Sequence, residues 1–418
     1  MARRKPVWRT WDRTRCRPAP GSPEAGFTLL EAVVSLAVMT VVLVGLLSLL
    51  QLNSRVAKAQ VNVAEMQQSL RVAQSDIVRQ VRMAGRGGLP SYRDAAGVYP
   101  GMLLPYQGLA ISVQNGVGPG TTIGGNANAP VREGTDVLTL RGVFQTTFFQ
   151  VNPVSDGKVP NTGNGSLVIR KIGPTGVPQD DFHALEDAIQ KGRPEALLLV
   201  STLDDGIQAV VELTGGRQVE GGTGLQLDFT TEGTHGAEYL KLSPGGAYPP
   251  QLTAVAAVGI LEEYRYYVRD QPPAPRLSRA RVYPGTDAPY AGDADNLHAD
   301  IADNVLDLQI ALGIDRNPNE RIEDAQNETD DWLFNAPADT PVANPPTVWN
   351  RRESPLYYVR ISTLARTDRL DADYQSPPIQ AIEDHVYDEP DAPADGASKL
   401  ERSYRRRLLQ TVVDLRNL

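Results

Sequence analysis

The chain has a single cysteine, Cys16, so it can form no intrachain disulfide and no multi-thiolate metal centre. Its four histidines, His183, His235, His298 and His385, show no His-Glu-x-x-His spacing, and each reads as a surface or loop residue. No Gly-x-Ser-x-Gly elbow and no phosphate-binding Gly-x-x-x-x-Gly-Lys-Thr loop occur, and no catalytic constellation emerges. Basic clusters are scarce beyond the N-terminus, and the net charge of −9 argues against nucleic acid as a partner, because phosphate contacts need grouped Lys and Arg. Proline and glycine, abundant elsewhere, are absent from Leu46 to Ala84, which leaves that stretch free to be one uninterrupted helix.

What is present begins with one apolar run. Phe27 to Leu50 holds 24 residues with a single charge, Glu31. A helix needs roughly 20 apolar residues to cross a bilayer. Seven Lys or Arg (Arg3, Arg4, Lys5, Arg9, Arg13, Arg15, Arg17) precede it against Asp12 and Glu24, which keeps the N-terminus cytoplasmic and places everything after Leu50 outside the cytoplasm. An acid inside a span costs about 2.5–3.5 kcal/mol even on lenient scales, so Glu31 calls for a specific partner.

The pattern then narrows to one stripe, Leu52, Val56, Ala59, Val63, Met66, Leu70, Ala73, Ile77, Val81 and Ala84, spaced at three and four residues. That spacing predicts a single helix from about Phe27 to Ala84, roughly 90 Å long, apolar all round in its first half and amphipathic in its second. The stripe is expected to pack on a head. Polar Gln60, Asn62, Gln67, Gln68 and Gln74 are expected on the other faces. Gly85-Arg86-Gly87-Gly88-Leu89-Pro90 stops the helix.

Past this stop the period changes to two. Expected strands are Asp136–Leu140, Thr146–Val151, Leu167–Ile172, Ala196–Ser201, Gln208–Leu213, Leu225–Phe229, Gly259–Val268, Leu277–Val282, Val305–Leu312, Tyr357–Thr363 and Leu408–Leu415, with a short helix over Asp181–Gln190. Long connections are expected over 85–131, 270–275 with 284–296, 315–352 and 371–398. The fold class is therefore α+β, a long N-terminal helix packed on a β-rich head.

One loop offers oxygen ligands. Asp315, Asn317 and Asn319 alternate, with Glu323 following, in a segment (284–346) of 14 acidic and two basic residues. Alternate oxygens can wrap calcium, although position 6 of this loop is Glu320 rather than Gly and position 12 is Gln326 rather than Glu. Apart from this calcium no cofactor is expected.

The stretch Gly26-Phe27-Thr28-Leu29-Leu30-Glu31 resembles the N-terminus of a type IV prepilin. The resemblance implies a leader over 1–26, cut by prepilin peptidase between Gly26 and Phe27, N-methylation of Phe27, and a subunit-pairing role for Glu31. With the helix read above, the chain divides into that leader, the membrane half of the helix (27–50), its amphipathic half (51–84) and a head (85–418), in which the residues mark a weak boundary between two lobes near 230–250. Without the leader, Cys16 is gone as well. Tyr266-Tyr267-Val268-Arg269, the run from Asn304 to Asp315, Val359-Arg360-Ile361-Ser362 and the closing Tyr404-Arg405-Arg406-Arg407 are similar to PilW-type minor pilins, relatives of the J-type pseudopilins. This implies a non-enzymatic subunit that primes pilus assembly and sits extracellularly at the pilus tip, with other minor pilins, the major pilin and a large tip adhesin as partners. A type II secretion pseudopilin and a membrane-anchored adhesin or binding protein are the alternatives.

Overall fold

The structure is a computed structural model. It describes residues 28–89, 109–125, 128–151, 159–160, 163–171, 182–201, 208–219, 221–232, 251–252, 255–285, 290, 298–315, 319, 321–323, 331–337, 356–387, 389 and 401–415. The boundary expected near 230–250 lies mostly outside them. Two compact units divide at Ala59 and Gln60, and helix α1 (Leu29–Met83) contributes to both.

In the first unit, α1 carries its apolar side chains exposed on every face from Leu29 to Leu50. Two hydroxyls in this run are satisfied by the helix itself: Thr40 Oγ1 donates to the Leu36 carbonyl (2.7 Å) and Ser48 Oγ to that of Val44 (2.9 Å). Such back-bonding removes the cost of placing a hydroxyl where water is absent.

In the second unit, the C-terminal part of α1 is half-covered. Met66, Leu70, Ala73, Ile77, Val81 and Ala84 are buried, as the stripe requires, whereas Leu52 and Val56, in the first unit, stay exposed. The stripe thus meets the head only from about Val63 onward. The helix ends where Gly85 takes a positive φ of 74° and donates its N–H to the Arg141 carbonyl. Two residues on, Gly87 has a φ of 105°, a conformation that favours glycine, and a Cβ there would lie 2.5 Å from a Leu198 methyl.

Among the described residues, the head has three antiparallel sheets of four or more strands, beside two two-stranded pairs. The first has the order Ile111–Gln114, Val137–Gly142, Glu262–Arg269, Arg276–Val282, His298–Asp303. The second runs Phe149–Gln150, Val255–Ile260, Ala196–Ser201, Gln208–Gln218, Gly224–Thr230, Asn164–Arg170. The third runs Trp332–Leu333, Val305–Ile314, Leu356–Arg366, Arg406–Asp414. One apolar cluster joins α1 to Leu138, Tyr266, Ile310, Val359, Ile361 and Val413 from the first and third sheets. A separate cluster fills the space between the second sheet and helix α2 (His183–Lys191), through Phe149, Leu185 and Ala188.

The expected strand Gly259–Val268 is two strands. Val255–Ile260 pairs with Ala196–Ser201 in the second sheet, and Glu262–Arg269 pairs in the first. Leu261 is the buried crossing point between them, its N–H bonded to the Ala196 carbonyl. Thr146–Val151 shrinks to Phe149–Gln150. Ile111–Gln114 and His298–Asp303 form strands where none is expected, and a hairpin (Ala381–Ile382 with His385–Val386) interrupts the long connection after Asp371.

Candidate functional site

The described chain starts with Thr28, so Gly26 and Phe27 lie outside the described residues. Glu31 Oε2 accepts the Thr28 N–H at 3.0 Å and the Thr28 hydroxyl at 2.9 Å. In return, the Glu31 N–H donates to Thr28 Oγ1 at 3.3 Å. This is a capping box: two amides that the first helical turn leaves without carbonyl partners are satisfied reciprocally. The acid also sits at the positive end of the helix dipole. A local role for Glu31, as helix starter, therefore comes before any intermolecular one.

Further along α1, two polar side chains fix the helix to the head. Gln74, expected on an outer face, is 5% exposed. Its Nε2 donates to the carbonyls of Leu409 (2.7 Å) and Ile361 (3.3 Å), and its Oε1 accepts from Thr411 Oγ1 (2.5 Å). Asp76 accepts from the Tyr266 hydroxyl at 2.7 Å and faces Arg279 at 3.3 Å. Burial and the Asp76 charge push the Tyr266 phenol upward, so it stays a donor. Periodicity missed both anchors because it reads only apolar positions. Their signal lay in the pairing of polar α1 residues with strands some 200 to 300 positions away, which a single sequence does not display.

The head buries several charges. Glu263, fully buried, is held by Arg141 Nε (2.6 Å) and Arg265 (2.9 Å). Glu262 accepts the amides of Phe144 (3.1 Å) and Gln145 (2.8 Å). Asp136, also fully buried, accepts the amides of Gly116 and Ile310, and burial raises its carboxyl well above the usual range. Asp307 receives the Tyr387 hydroxyl (2.5 Å) and lies 3.0 Å from His385 Nδ1, with His385 stacked on Tyr387. His385 is thus a half-buried structural residue, not a loop histidine. Among the described residues, His298 and His385 contact Arg269 and the Asp307–Gln309 pair rather than a hydroxyl nucleophile, and His183 is exposed beside Glu186. His235 lies outside the described residues.

Of the four expected calcium ligands, Asn317 is outside the described residues. Asp315 Oδ1 accepts the Asn319 N–H (3.1 Å), Asn319 Oδ1 accepts that of Arg321 (2.8 Å), and the Glu323 N–H donates to Asp331 Oδ2 (3.1 Å). Asp315 and Asp331 are buried. The loop thus uses these oxygens to order its own backbone. Among the described residues, no three His, Cys, Asp or Glu converge on one point suited to a metal ion.

Three comparisons bear on identity. Residues 265–417 match the family described as type IV pilus-assembly protein W. Residues 21–47 match the prokaryotic N-terminal methylation motif. A solved type IV-like pilin from Thermus thermophilus is 13% identical, covering 56% of this chain and 94% of its own, with a TM-score of 0.16. No curated protein matches the chain.

Proposed function

We propose that this chain is a type IV pilin of the PilW family, a minor subunit that helps prime pilus assembly and remains at the pilus tip. The observation that carries the reading is the division of labour along α1. Met66 to Ala84 is committed to the head, while Leu29 to Leu50 stays uncovered behind a capped N-terminus, available to the membrane and to other apolar helices. The precursor crosses the inner membrane once with its basic N-terminus in the cytoplasm. Prepilin peptidase cuts after Gly26, and Phe27 becomes the methylated first residue. In the assembled state, the Glu31 carboxylate pairs with the Phe27 amine of a neighbouring pilin.

Size supports the tip placement. A compact chain as long as residues 85–418 has a radius of gyration of about 20 Å, roughly 50 Å across. Repeated at every short step of a helical shaft, heads of that width would collide; a few copies at one end do not. Other minor pilins, the major pilin and a large adhesin are the partners this position implies.

Quantitative mass spectrometry of sheared filaments tests the assignment. The expected result is a mature N-terminus at methyl-Phe27 and an abundance far below that of the shaft subunit. Comparable abundance overturns the tip position, and normal maturation of Gly26→Val overturns the processing.

A further inference from the structure

The third sheet ends in an open strand. Arg406–Asp414 pairs with Leu356–Arg366 on one side, and among the described residues no strand pairs with its other side. Antiparallel alternation fixes which backbone groups are turned outward. The Arg405 carbonyl accepts from Thr367 N–H and the Leu415 N–H donates to the Tyr357 carbonyl, so odd-numbered residues bond inward. The N–H and C=O groups of Leu408, Gln410 and Val412 therefore face away from the sheet. Native proteins usually shield such an edge, because it is a template for another strand.

The two faces beside this edge differ in chemistry. On the helix side, Leu409 and Thr411 form a groove of about 600 Å³ with one flank of α1: Arg71, Ser75, Val78, Arg79 and Arg82. Three arginines on one flank stand out in a chain of net charge −9. On the opposite side, Leu408 and Val412 are 43% and 51% exposed. A strand laid along the edge, about 4.8 Å out, would send alternate side chains into the arginine-lined groove and the others beside Leu408 and Val412.

We propose that this edge takes up an extended segment of another protein by β-augmentation, and that the segment alternates carboxylate with β-branched or other apolar residues. Main-chain bonds to 408, 410 and 412 supply the affinity, and the parity of acidic and apolar positions supplies the register. The assignment rests on the edge and its two faces and is independent of the tip role proposed above.

The test uses the full-length chain in detergent and a blocked peptide of about eight residues alternating Glu with Val. Saturable binding is expected, with exchange protection confined to the amides of Leu408, Gln410 and Val412. A Lys-for-Glu peptide is expected to bind about tenfold more weakly, a gap that narrows with salt. Val412→Pro removes one outward N–H and leaves the inward ladder intact, a position where an edge strand accepts proline. It is expected to abolish peptide protection without lowering the melting temperature. Arg71→Glu, on α1 and outside the backbone ladder itself, is expected to erase the preference for Glu over Lys even if the proline variant misfolds. No saturable binding, equal binding of both peptides, or protection elsewhere overturns the proposal. So does concentration-dependent self-association that Val412→Pro abolishes, which would make a second copy the occupant.

Discussion

Tyr266, on a central strand of the first sheet, donates its hydroxyl hydrogen to Asp76 of α1 across 2.7 Å, joining positions 190 residues apart. Its neighbour Tyr267 is as deeply buried, yet its hydroxyl has no protein partner among the described residues. The two tyrosines therefore separate hydrogen bonding from burial. Tyr266→Phe is expected to cost about 1–2 kcal/mol, since a bond to a charged acceptor is lost from a desolvated site. Tyr267→Phe is expected to be near neutral. Thermal melting of both variants in the same detergent checks the contrast, and equal losses would refute the anchor.

Glu31 offers a similar separation. Glutamine serves at the third position of a capping box, whereas alanine cannot. Glu31→Gln is expected to keep the helix start and lose the charge, and Glu31→Ala to lose both. If charge pairing with the Phe27 amine drives assembly, both variants are processed and neither joins the other minor pilins. Assembly by the Gln variant alone would show that the cap, not the charge, is what matters.

Glu195 carries a pH dependence. It is almost fully buried, 3.7 Å from Arg281 and near Glu262, and burial lifts its carboxyl to about 7. A carboxyl whose pKa is higher folded than unfolded favours folding while protonated, and that contribution is lost as pH rises through the folded value. Stability is expected to fall between about pH 4.5 and 7, by on the order of 3 kcal/mol from this group. Glu195→Gln should flatten that part of the curve and melt higher at pH 8. Asp136 shifts in the same direction, but it is unchanged in both proteins and cancels from the comparison.

Calcium at Asp315, Asn317, Asn319 and Glu323 remains a proposal based on donor chemistry. Excess calcium should raise the melting temperature, as for any ion bound only by the folded state, and Asp315→Ala should remove the response. Identical melting in calcium and in chelator retires it.

The sequence made the long helix, the lower part of its apolar stripe and most strands of the head legible, because each rests on a local period. Ala196–Ser201 matches to the residue, being a short apolar run between clear turn signals. Leu261 was hidden because a chain that changes sheets without a turn residue keeps the same alternation across the crossing. His298–Asp303 was hidden because its acids mimic a loop. The burial of Asp307 and Gln309 comes from the hairpin near His385, which covers them and which no local period announces. Gln74 and Asp76 were unreadable for a related reason: what determines their role is the distant strand opposite.

The bare stretch from Leu29 to Leu50 has a thermodynamic consequence of its own. Lipid tails are as apolar as leucine and valine side chains, so exchanging a sheath of lipid for a sheath of other apolar helices leaves hydration unchanged. The hydrophobic effect holds this segment out of water in either setting and is indifferent between them. Transfer in one direction therefore draws on packing, on the few polar groups near Glu31 and on external work, and the return trip meets no hydrophobic barrier. A segment of this kind is as well hidden from water among lipid tails as among other apolar helices.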